Sequence, residues 1–365
     1  MTAATPASRP LHGVRVVSFA EQFPGPFATM ILSDLGADVI QVERPVHGDP
    51  ARAYPAFYAA LNRGKRSVAI DLKDEAQRVM CRRLIDTADV VFEGFRPGVM
   101  ARLGLDFHTC AQASPSTVYV SVSGFGQDGP LRDRPAHDLS FQALAGLIDL
   151  EEPRVPTLSW ADLSAGAFAA IAALAGLASR VSTGVGGYWD VSMFDSLVSL
   201  MTPLLGPVAN GDGLGSLGQD PGYGLFATAD GKWLTLSIAF EDHFWKPLCD
   251  RLDLARFRDI SGADRPARRD ELRLAVAQRI AGADAAHWES VLTEAGVPCG
   301  VVNRPLDVLD NPQVVARDMV QRIGDGAGTY AYVRQPLVVD GRRLGPTRPA
   351  PSVGQHTAEI LRELS

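Results

Sequence analysis

Three side chains have the chemistry most useful to an enzyme. They are His137, in the tripeptide Ala136-His137-Asp138, the carboxylate of Asp162 and the carboxylate of Glu241. A histidine can transfer a proton near neutral pH, and a carboxylate can transfer a proton or attack a carbonyl carbon. The sequence has no metal-ligand spacing and no glycine-rich phosphate loop. It therefore predicts proton transfer or carboxylate attack.

Each of these residues also has an ordinary structural interpretation. Asp162 comes just before an alanine-rich segment, where it could cap a helix by accepting backbone N–H bonds. His137 could be an isolated surface or core histidine, and Glu241 could begin a solvated helix. Position alone leaves both interpretations open for all three residues.

Composition limits the class of protein. The chain has 365 residues, 46% hydrophobic and 21% charged, with a formal net charge of -7. This length favours two domains in a soluble globular protein. The acidic balance gives no basic surface for nucleic acid, although a local basic pocket for a phosphorylated ligand stays open.

Cysteine usage and the N-terminal sequence predict a cytoplasmic enzyme. The four cysteines form neither a C-x-x-C pair nor a zinc pattern, which is typical of reduced thiols; they are Cys81, Cys110, Cys249 and Cys299. The first ten residues lack the apolar stretch of a signal peptide, and the Ala/Leu run from Phe168 to Ala178 is shorter than a membrane span. We expect no membrane association.

Strand and helix patterns alternate through the first half of the chain. Strands are predicted at Val14–Ser18, Val39–Val42, Ser67–Ile70, Asp89–Phe92 and Thr117–Val122, and helices at Ala28–Leu35, Asp74–Thr87 and Leu163–Arg180. This alternation predicts an α/β fold whose parallel sheet has helices on both faces. The first strand lacks a G-x-G-x-x-G fingerprint and has Pro24-Gly25-Pro26 instead, so a dinucleotide site is not expected.

The second half differs in composition. A glycine-rich segment from Gly206 to Gly224 precedes the strand Trp233–Ile238 and charged amphipathic helices up to Ala295, which marks a domain boundary. Strand-like and Pro-rich pieces follow from about Thr329, and a helix is predicted at Thr357–Leu364.

A series of ordered motifs resembles the family III CoA-transferases over nearly the whole chain. The motifs are Pro24 to Pro45, Gly48-Asp-Pro50, Leu61 to Ser67, Phe95-Arg-Pro-Gly98, Ser123 to Pro130, Asp190 to Asp195, Asn311 to Val314 and Gly354 to Thr357. The family contains transferases, which move CoA between carboxylic acids, and 2-methylacyl-CoA racemases, which epimerise the α-carbon of a thioester.

The resemblance implies a domain arrangement and an assembly. Residues 1–205 would form a large Rossmann-like domain, residues 225–315 a smaller α/β domain, and residues 325–365 a return to the large domain. Two such chains would interlock like linked rings in a homodimer. The residue patterns themselves indicate only the α/β alternation and the boundary.

The resemblance also implies catalytic roles. Asp162 matches the family aspartate that attacks the acyl-CoA carbonyl in transferases, forming a mixed anhydride, and the same aspartate transfers a proton in racemases. His137 matches the racemase base, although Ala136 replaces the usual glycine before it. Glu241 matches the carboxylate that orients that histidine. A loose candidate for the transferase glycine run is Gly211 to Gly215.

A CoA thioester is the implied substrate, with no permanently bound cofactor. Arg44, Arg96 and Arg102 match positions that meet the phosphates, and Ile70, Leu72 and Lys73 match the strand edge that holds the adenine end. A guanidinium suits phosphate because its planar fork pairs with two oxygens at once. By composition alone, Arg96 and Arg102 could equally be surface charges.

Three functions follow from these observations. Several motifs resemble those of the family's transferases more than those of its racemases. This favours a CoA-transferase that acts on an acyl-CoA and an acceptor carboxylic acid through Asp162. The alternative is a 2-methylacyl-CoA racemase using His137 with Asp162. A third interpretation is a non-catalytic CoA-binding protein, against which the intact Asp162 argues.

Overall fold

A computed structural model describes residues 9–148, 154–213, 219–324 and 328–364. The chain divides into two units. Unit 1 comprises Met1–Pro203 and Val315–Ser365, and unit 2 comprises Leu204–Val314.

Unit 1 is built on a six-stranded parallel sheet. Its strands are β1 (Arg15–Ser18), β2 (Asp38–Glu43), β3 (Arg66–Ala69), β4 (Val90–Glu93), β5 (Val118–Ser123) and β6 (Gly187–Ser192), in the order β3-β2-β1-β4-β5-β6. The strand order reverses between β1 and β4, which is where ligands bind in sheets of this kind. The predicted Rossmann-like parallel sheet is confirmed. Strand β6 is additional, since the sequence pattern predicted no strand at Gly187–Ser192.

Helices cover both faces of this sheet, as predicted. The helices of residues 1–200 are α1 (Pro24–Asp34), α2 (Pro55–Asn62), α3 (Glu75–Asp86), α4 (Val99–Leu103), α5 (Phe107–Ala113), α6 (Asp138–Leu144), α7 (Trp160–Thr183) and α8 (Met193–Leu200). Ala28 of α1 and Ala169 of α7 share one buried core with Val90 of the sheet. Leu84 of α3 lies in a separate buried core with Val91, whose side chain points to the opposite side from Val90.

Helix α7 is longer than predicted and lies in the core. Its 24 residues and mean hydropathy of 1.7 would by themselves allow a membrane span, but half of its most apolar stretch is buried inside the protein, as in the core helix of a globular fold. Small residues let it approach α1 closely: a Cβ at Gly166 would lie 2.7 Å from the Pro24 carbonyl oxygen and from the Phe27 ring. The helix ends at Gly184, which adopts the left-handed conformation at its C-terminus.

Unit 2 has its own small sheet and its own core. It contains α9 (from Thr202 in unit 1 to Ala209), β7 (Tyr223–Ala227), β8 (Trp233–Ser237), α10 (Asp242–Arg251), α11 (Arg269–Ile280), α12 (Ala285–Glu294) and β9 (Cys299–Val301). The strands pair antiparallel in the order β7-β8-β9. Trp245, Leu248 and Leu272 lie at the centre of the apolar core.

The C-terminal segment returns to the sheet of unit 1. It contains α13 (Pro312–Ala316), β10 (Val320–Gly324), β11 (Thr329–Val333), β12 (Val338–Val339), β13 (Arg342–Arg343) and α14 (Thr357–Glu363). The His356 amide donates to the Ser67 carbonyl at 2.9 Å, and the Ala69 amide donates to the Thr357 hydroxyl at 3.0 Å. The tail thus satisfies the open edge of β3, which would otherwise leave backbone groups unpaired.

Candidate active site

A cavity of about 560 Å³ opens at the carboxyl ends of β1, β4 and β5 in unit 1. It therefore occupies the point where the strand order reverses. Among its lining residues are Glu21, Gln22, Gly25, Arg96, Ser123, Arg132, Arg134, His137, Phe141, Asp162 and Met193. His137, Asp162 and Arg96, which the sequence singled out separately, all line this one cavity.

The loop after β1 forms one wall and is held in an unusual backbone conformation. Gln22 has φ 67°, a left-handed conformation that non-glycine residues rarely adopt. Both oxygens of the buried Asp49 carboxylate accept from the Gln22 amide at 3.1 Å. Three residues further on, in the first turn of α1, a Cβ at Gly25 would lie 2.1 Å from the Ala20 Cβ, so this position needs glycine. Asp49 and Gly25 therefore fix the shape of this wall.

Asp162 lies in the first turn of α7, whose N-cap is Ser159. The expectation that Asp162 might cap this helix is wrong, because the helix begins at Trp160, two residues before it. The capping oxygen comes instead from Asp138, whose Oδ1 accepts from the amides of Ala161 at 2.8 Å and Asp162 at 3.2 Å. Within the described residues, the Asp162 carboxylate itself accepts no hydrogen bond, so it is free to meet a ligand.

Burial and a like charge change the acidity of Asp162. Desolvation, followed by the nearby Asp138 carboxylate, raises the pKa of Asp162 from 3.8 to about 7. The first amides of α7 donate to Asp138 and not to Asp162. At neutral pH, Asp162 is therefore divided between its neutral and ionised forms. A carboxylate this basic is a stronger nucleophile and a stronger base once it is ionised.

His137 precedes helix α6 and is exposed to the cavity. It is the N-cap of that helix, and its carbonyl oxygen accepts from the Ser140 amide at 2.8 Å. Its imidazole makes no hydrogen bond within the described part of the chain. Because Asp138 follows directly and turns back to the N-terminus of α7, the dipeptide places an imidazole and the Asp162 carboxylate at the same cavity.

Asp138 is the functional residue whose role sequence reasoning missed. Besides the two amides of α7, its carboxylate accepts from the Gln142 side-chain amide. It thereby joins α6 to α7 across more than twenty residues of sequence. The only sequence signal was its position beside His137.

Three guanidinium groups give the cavity a cationic side. Arg96, Arg132 and Arg134 all line it. The loop carrying Arg96 is held by the buried Glu93, whose carboxylate accepts from the Phe95 amide at 2.9 Å. These side chains suit the phosphates of CoA or a substrate carboxylate.

The other residues predicted to bind CoA lie outside the cavity wall. Arg44 is exposed and forms an ion pair with Glu21 at 3.4 Å. Arg102, in α4, is exposed. Ile70, Leu72 and Lys73 follow β3 at the same carboxyl end of the sheet: Ile70 is buried in the core, Leu72 is half-buried and Lys73 is exposed. Their contact with the adenine end stays a prediction.

Glu241 belongs to unit 2, where it precedes α10 as the N-cap residue. Its carboxylate accepts from the amides of Ala239 at 2.9 Å and Phe240 at 3.1 Å, and these bonds lower its pKa. Its predicted role beside His137 stays a prediction.

The glycine run Gly211 to Gly215 lies partly outside the described residues. Across the described residues, no group of three or more His, Cys, Asp or Glu side chains could hold a metal ion.

Comparison with known proteins identifies the family. Residues 11–357 match the CoA-transferase family III. The chain is 34% identical to the acetyl-CoA:oxalate CoA-transferase of Acetobacter aceti, covering 100% of this chain and 99% of the relative. It is 31% identical to a succinate–glutarate CoA-transferase of Agrobacterium fabrum, covering 97% and 96%.

A solved structure agrees with these matches. The crystal structure of a CAIB/BAIF family protein from Brucella suis is 30% identical, has a TM-score of 0.85, and is matched over 98% of this chain and 100% of that protein. The chain belongs to CoA-transferase family III and is an enzyme of that family. This confirms the family resemblance identified from the motifs, and CoA thioesters are the substrates that the family implies.

Proposed function

We propose that this enzyme transfers CoA between carboxylic acids with Asp162 as the nucleophile. The observation that carries the proposal is a carboxylate without hydrogen bonds, in the described residues, lining a cavity of about 560 Å³ at the switch point of the sheet. Its raised pKa of about 7 keeps part of the population ionised at neutral pH and gives that form high nucleophilicity.

The reaction would begin with attack of an Asp162 oxygen on the thioester carbonyl. The new C–O bond forms as the C–S bond breaks, giving a mixed anhydride and CoA thiolate. The thiolate then attacks the Asp162 carbonyl, releasing the first acid and leaving CoA as a thioester of Asp162. The acceptor carboxylate attacks that thioester, giving a second mixed anhydride and free CoA thiolate. The thiolate then attacks the acceptor's carbonyl carbon, and the C–O bond to Asp162 breaks. Asp162 is regenerated, and no external base or oxidant is required.

The acid substrates are proposed to be short carboxylic acids, including dicarboxylic acids. The relatives are named for oxalate, succinate and glutarate. Arg132 and Arg134 line the cavity with Arg96, and a guanidinium beyond those needed for CoA phosphates could bind a second carboxylate. The identity of the acid is open to direct assay with a panel of donors and acceptors.

Trapping tests the covalent step. Hydroxylamine added with an acyl-CoA should convert Asp162 to a hydroxamate, because the activated carbonyl of an anhydride or thioester reacts with it. Peptide mass spectrometry would locate the adduct. Asp162→Asn should show no adduct and no transfer while still binding CoA. A fully active, unmodified wild-type enzyme after this treatment would contradict covalent catalysis.

One observation favours a second function, 2-methylacyl-CoA racemisation. An imidazole and a carboxylate of raised pKa, His137 and Asp162, line one cavity, and epimerisation needs two groups to remove and return the α-proton. The assay is incubation with an acyl-CoA in deuterated water, with and without a second acid. Acceptor-dependent formation of a new thioester supports transfer, and acceptor-independent deuterium at the α-carbon supports racemisation.

His137→Ala separates the two functions further. A racemase should lose about 10²–10⁴ in α-proton exchange, the usual contribution of a general acid or base. A transferase should keep most of its rate, because the covalent step uses only Asp162. His287→Ala, at an exposed histidine of α12 in unit 2, is the matched control.

We also propose that the enzyme works as a homodimer of interlocked chains. Supporting this is an apolar surface on α7 that the single chain leaves exposed, formed by Trp160, Phe168 and Ile171. Light scattering during size-exclusion chromatography should give twice the chain mass of 39.0 kDa. A concentration-independent mass of one chain would contradict the dimer.

A further inference from the structure

A second cavity of about 560 Å³ lies in unit 1 beside β4, β5 and β6, and neither His137 nor Asp162 lines it. Its walls are Glu93, Arg96, Gly98, Met100, Ala101, Asp106, Phe107, His108, Tyr119, Gln127, Arg132 and Tyr188. Arg96 and Arg132 also line the reaction cavity, so the two cavities meet at these guanidinium groups. Its volume is in the range that holds a small organic ligand.

Aromatic rings form one side of this second cavity. The ring centroids of Phe107 and Tyr188 are 5.4 Å apart, those of Tyr119 and Tyr188 are 5.9 Å apart, and those of Phe107 and Tyr119 are 6.1 Å apart. Tyr119 is buried, whereas Tyr188 is 41% exposed and can contact a bound molecule. A connected group of rings of this kind favours a planar aromatic ligand, through stacked or edge-to-face contacts.

A polar group forms the back of the cavity. Glu93 is buried, and its carboxylate accepts from the Ser121 hydroxyl and from the Phe95 amide. Burial raises the pKa of Glu93 to about 7, so near neutral pH it can either donate or accept a further hydrogen bond. The Gln127 side-chain amide donates to the same Ser121 hydroxyl at 2.8 Å.

Two guanidinium groups, of Arg96 and Arg132, form the junction with the reaction cavity. The Arg132 Nε is buried and has no hydrogen-bond partner among the described residues. The guanidinium's described ion pair is with the exposed Asp133, at 3.8 Å. No ion pair is made by Arg96 within the described ranges. A buried donor left without an acceptor is costly, which indicates that a ligand supplies one.

We propose that this second cavity binds a small aromatic ring carrying an anionic group, with the ring against Tyr119 and Tyr188 and the anion at Arg132 and Arg96. The ligand class that fits is an aromatic carboxylic acid, because a single carboxylate matches the two guanidinium groups and the ring matches the aromatic side. The site does not depend on Asp162 chemistry. Binding there would place a ligand directly beside the reaction cavity through the shared guanidinium groups.

Isothermal titration calorimetry of the full chain tests the proposal. Phenylacetate, cyclohexylacetate and adenosine bisphosphate would be titrated separately. We expect phenylacetate to bind once per chain, and cyclohexylacetate to bind at least several-fold more weakly. Phenylacetate binding that persists in saturating adenosine bisphosphate supports the proposal, and loss of that binding overturns it, because the ring would then occupy the CoA site.

Variants locate the binding. Tyr188→Ala should weaken the aromatic probe about tenfold, the loss expected when a stacking ring is removed. Tyr330→Ala removes a similarly exposed ring of β11 outside this cavity and should leave the affinity unchanged. Asp162→Asn should also leave it unchanged, which separates this site from the reaction. The proposal is overturned if phenylacetate does not bind, or if Tyr188→Ala binds it like wild type.

Discussion

Asp138 accepts a hydrogen bond from the backbone amide of Asp162 at 3.2 Å and caps the helix that carries this second carboxylate. One acid thus orients the other, and burial together with this neighbouring charge raises the pKa of Asp162. The arrangement holds two carboxylates close together, which favours the neutral form of one of them. The acid–base state of the proposed nucleophile therefore depends on a residue at the end of a different helix.

The pH dependence of transfer should report this relationship. With the pKa of Asp162 raised to about 7, kcat/KM should increase as pH rises through this value, because only the ionised carboxylate attacks the thioester. Asp138→Asn removes the like charge and should move the midpoint to lower pH. The measurement is kcat/KM between about pH 5 and 9.

Asp133→Asn is the control for this comparison, since Asp133 also lines the cavity but is not a cause of the Asp162 shift. A profile unchanged by Asp138→Asn would show that the like charge does not set the Asp162 pKa.

Asp162→Asn should stabilise the protein above neutral pH. The folded pKa of about 7 exceeds the ordinary 3.8, so the folded state binds the proton more tightly, and wild-type stability falls as pH rises between these values. One pKa unit corresponds to about 1.4 kcal/mol, so the gain in unfolding free energy has an upper limit of about 4 kcal/mol. Because Asp162 is partly exposed to solvent, we expect a gain of about 1–2 kcal/mol.

Urea denaturation of both proteins at equal concentration measures this gain. The difference in unfolding free energy between the two proteins should be largest above about pH 7. It should shrink towards pH 4, where Asp162 of the folded wild type is protonated and uncharged, like the asparagine. A pH-independent difference would mean that the substitution acts through packing rather than charge.

Much of the sheet could be predicted because its strands have local signatures. Val90, Val91 and Phe92 form an apolar run bounded by polar residues, which is typical of a buried parallel strand. Strand β6 could not be predicted in this way, since Gly187 follows a turn and its alternate residues are exposed. It is held by pairing with β5, a contact between residues about seventy positions apart.

The candidate site could be predicted only as separate residues. His137, Asp162 and Arg96 carry chemistry in their residue types, and the sequence singled out all three. The capping by Asp138 and the raised Asp162 pKa arise from a contact between α6 and α7, which no local pattern encodes. The relation between Asp49 and Gln22 is of the same kind, because it joins two loops distant in sequence.

Gly166→Ala should destabilise unit 1 and misplace Asp162. The added Cβ would lie 2.7 Å from the Pro24 carbonyl oxygen, so α7 must move away from α1. Overpacking of this kind costs about 1–3 kcal/mol. Urea denaturation and the transfer rate would be measured together. Gly300→Ala, whose Cβ would meet the Thr235 hydroxyl at an ordinary 3.5 Å, is the control and should change neither.

Arg96→Ala should weaken CoA ester binding with little change in kcat. Its guanidinium lines the reaction cavity and has no ion pair within the described ranges, so a phosphate or carboxylate of the substrate is free to pair with it. Loss of a hydrogen bond to a charged group costs about 1.5–3 kcal/mol, which corresponds to an increase of about ten- to a hundredfold in KM. Steady-state kinetics with an acyl-CoA measures both constants.

The control is Arg83→Ala, which removes an exposed arginine of α3 outside both cavities and should behave as wild type. An unaltered KM for Arg96→Ala would remove Arg96 from the CoA site, whereas a fall in kcat at constant KM would place it beside the reacting carbonyl.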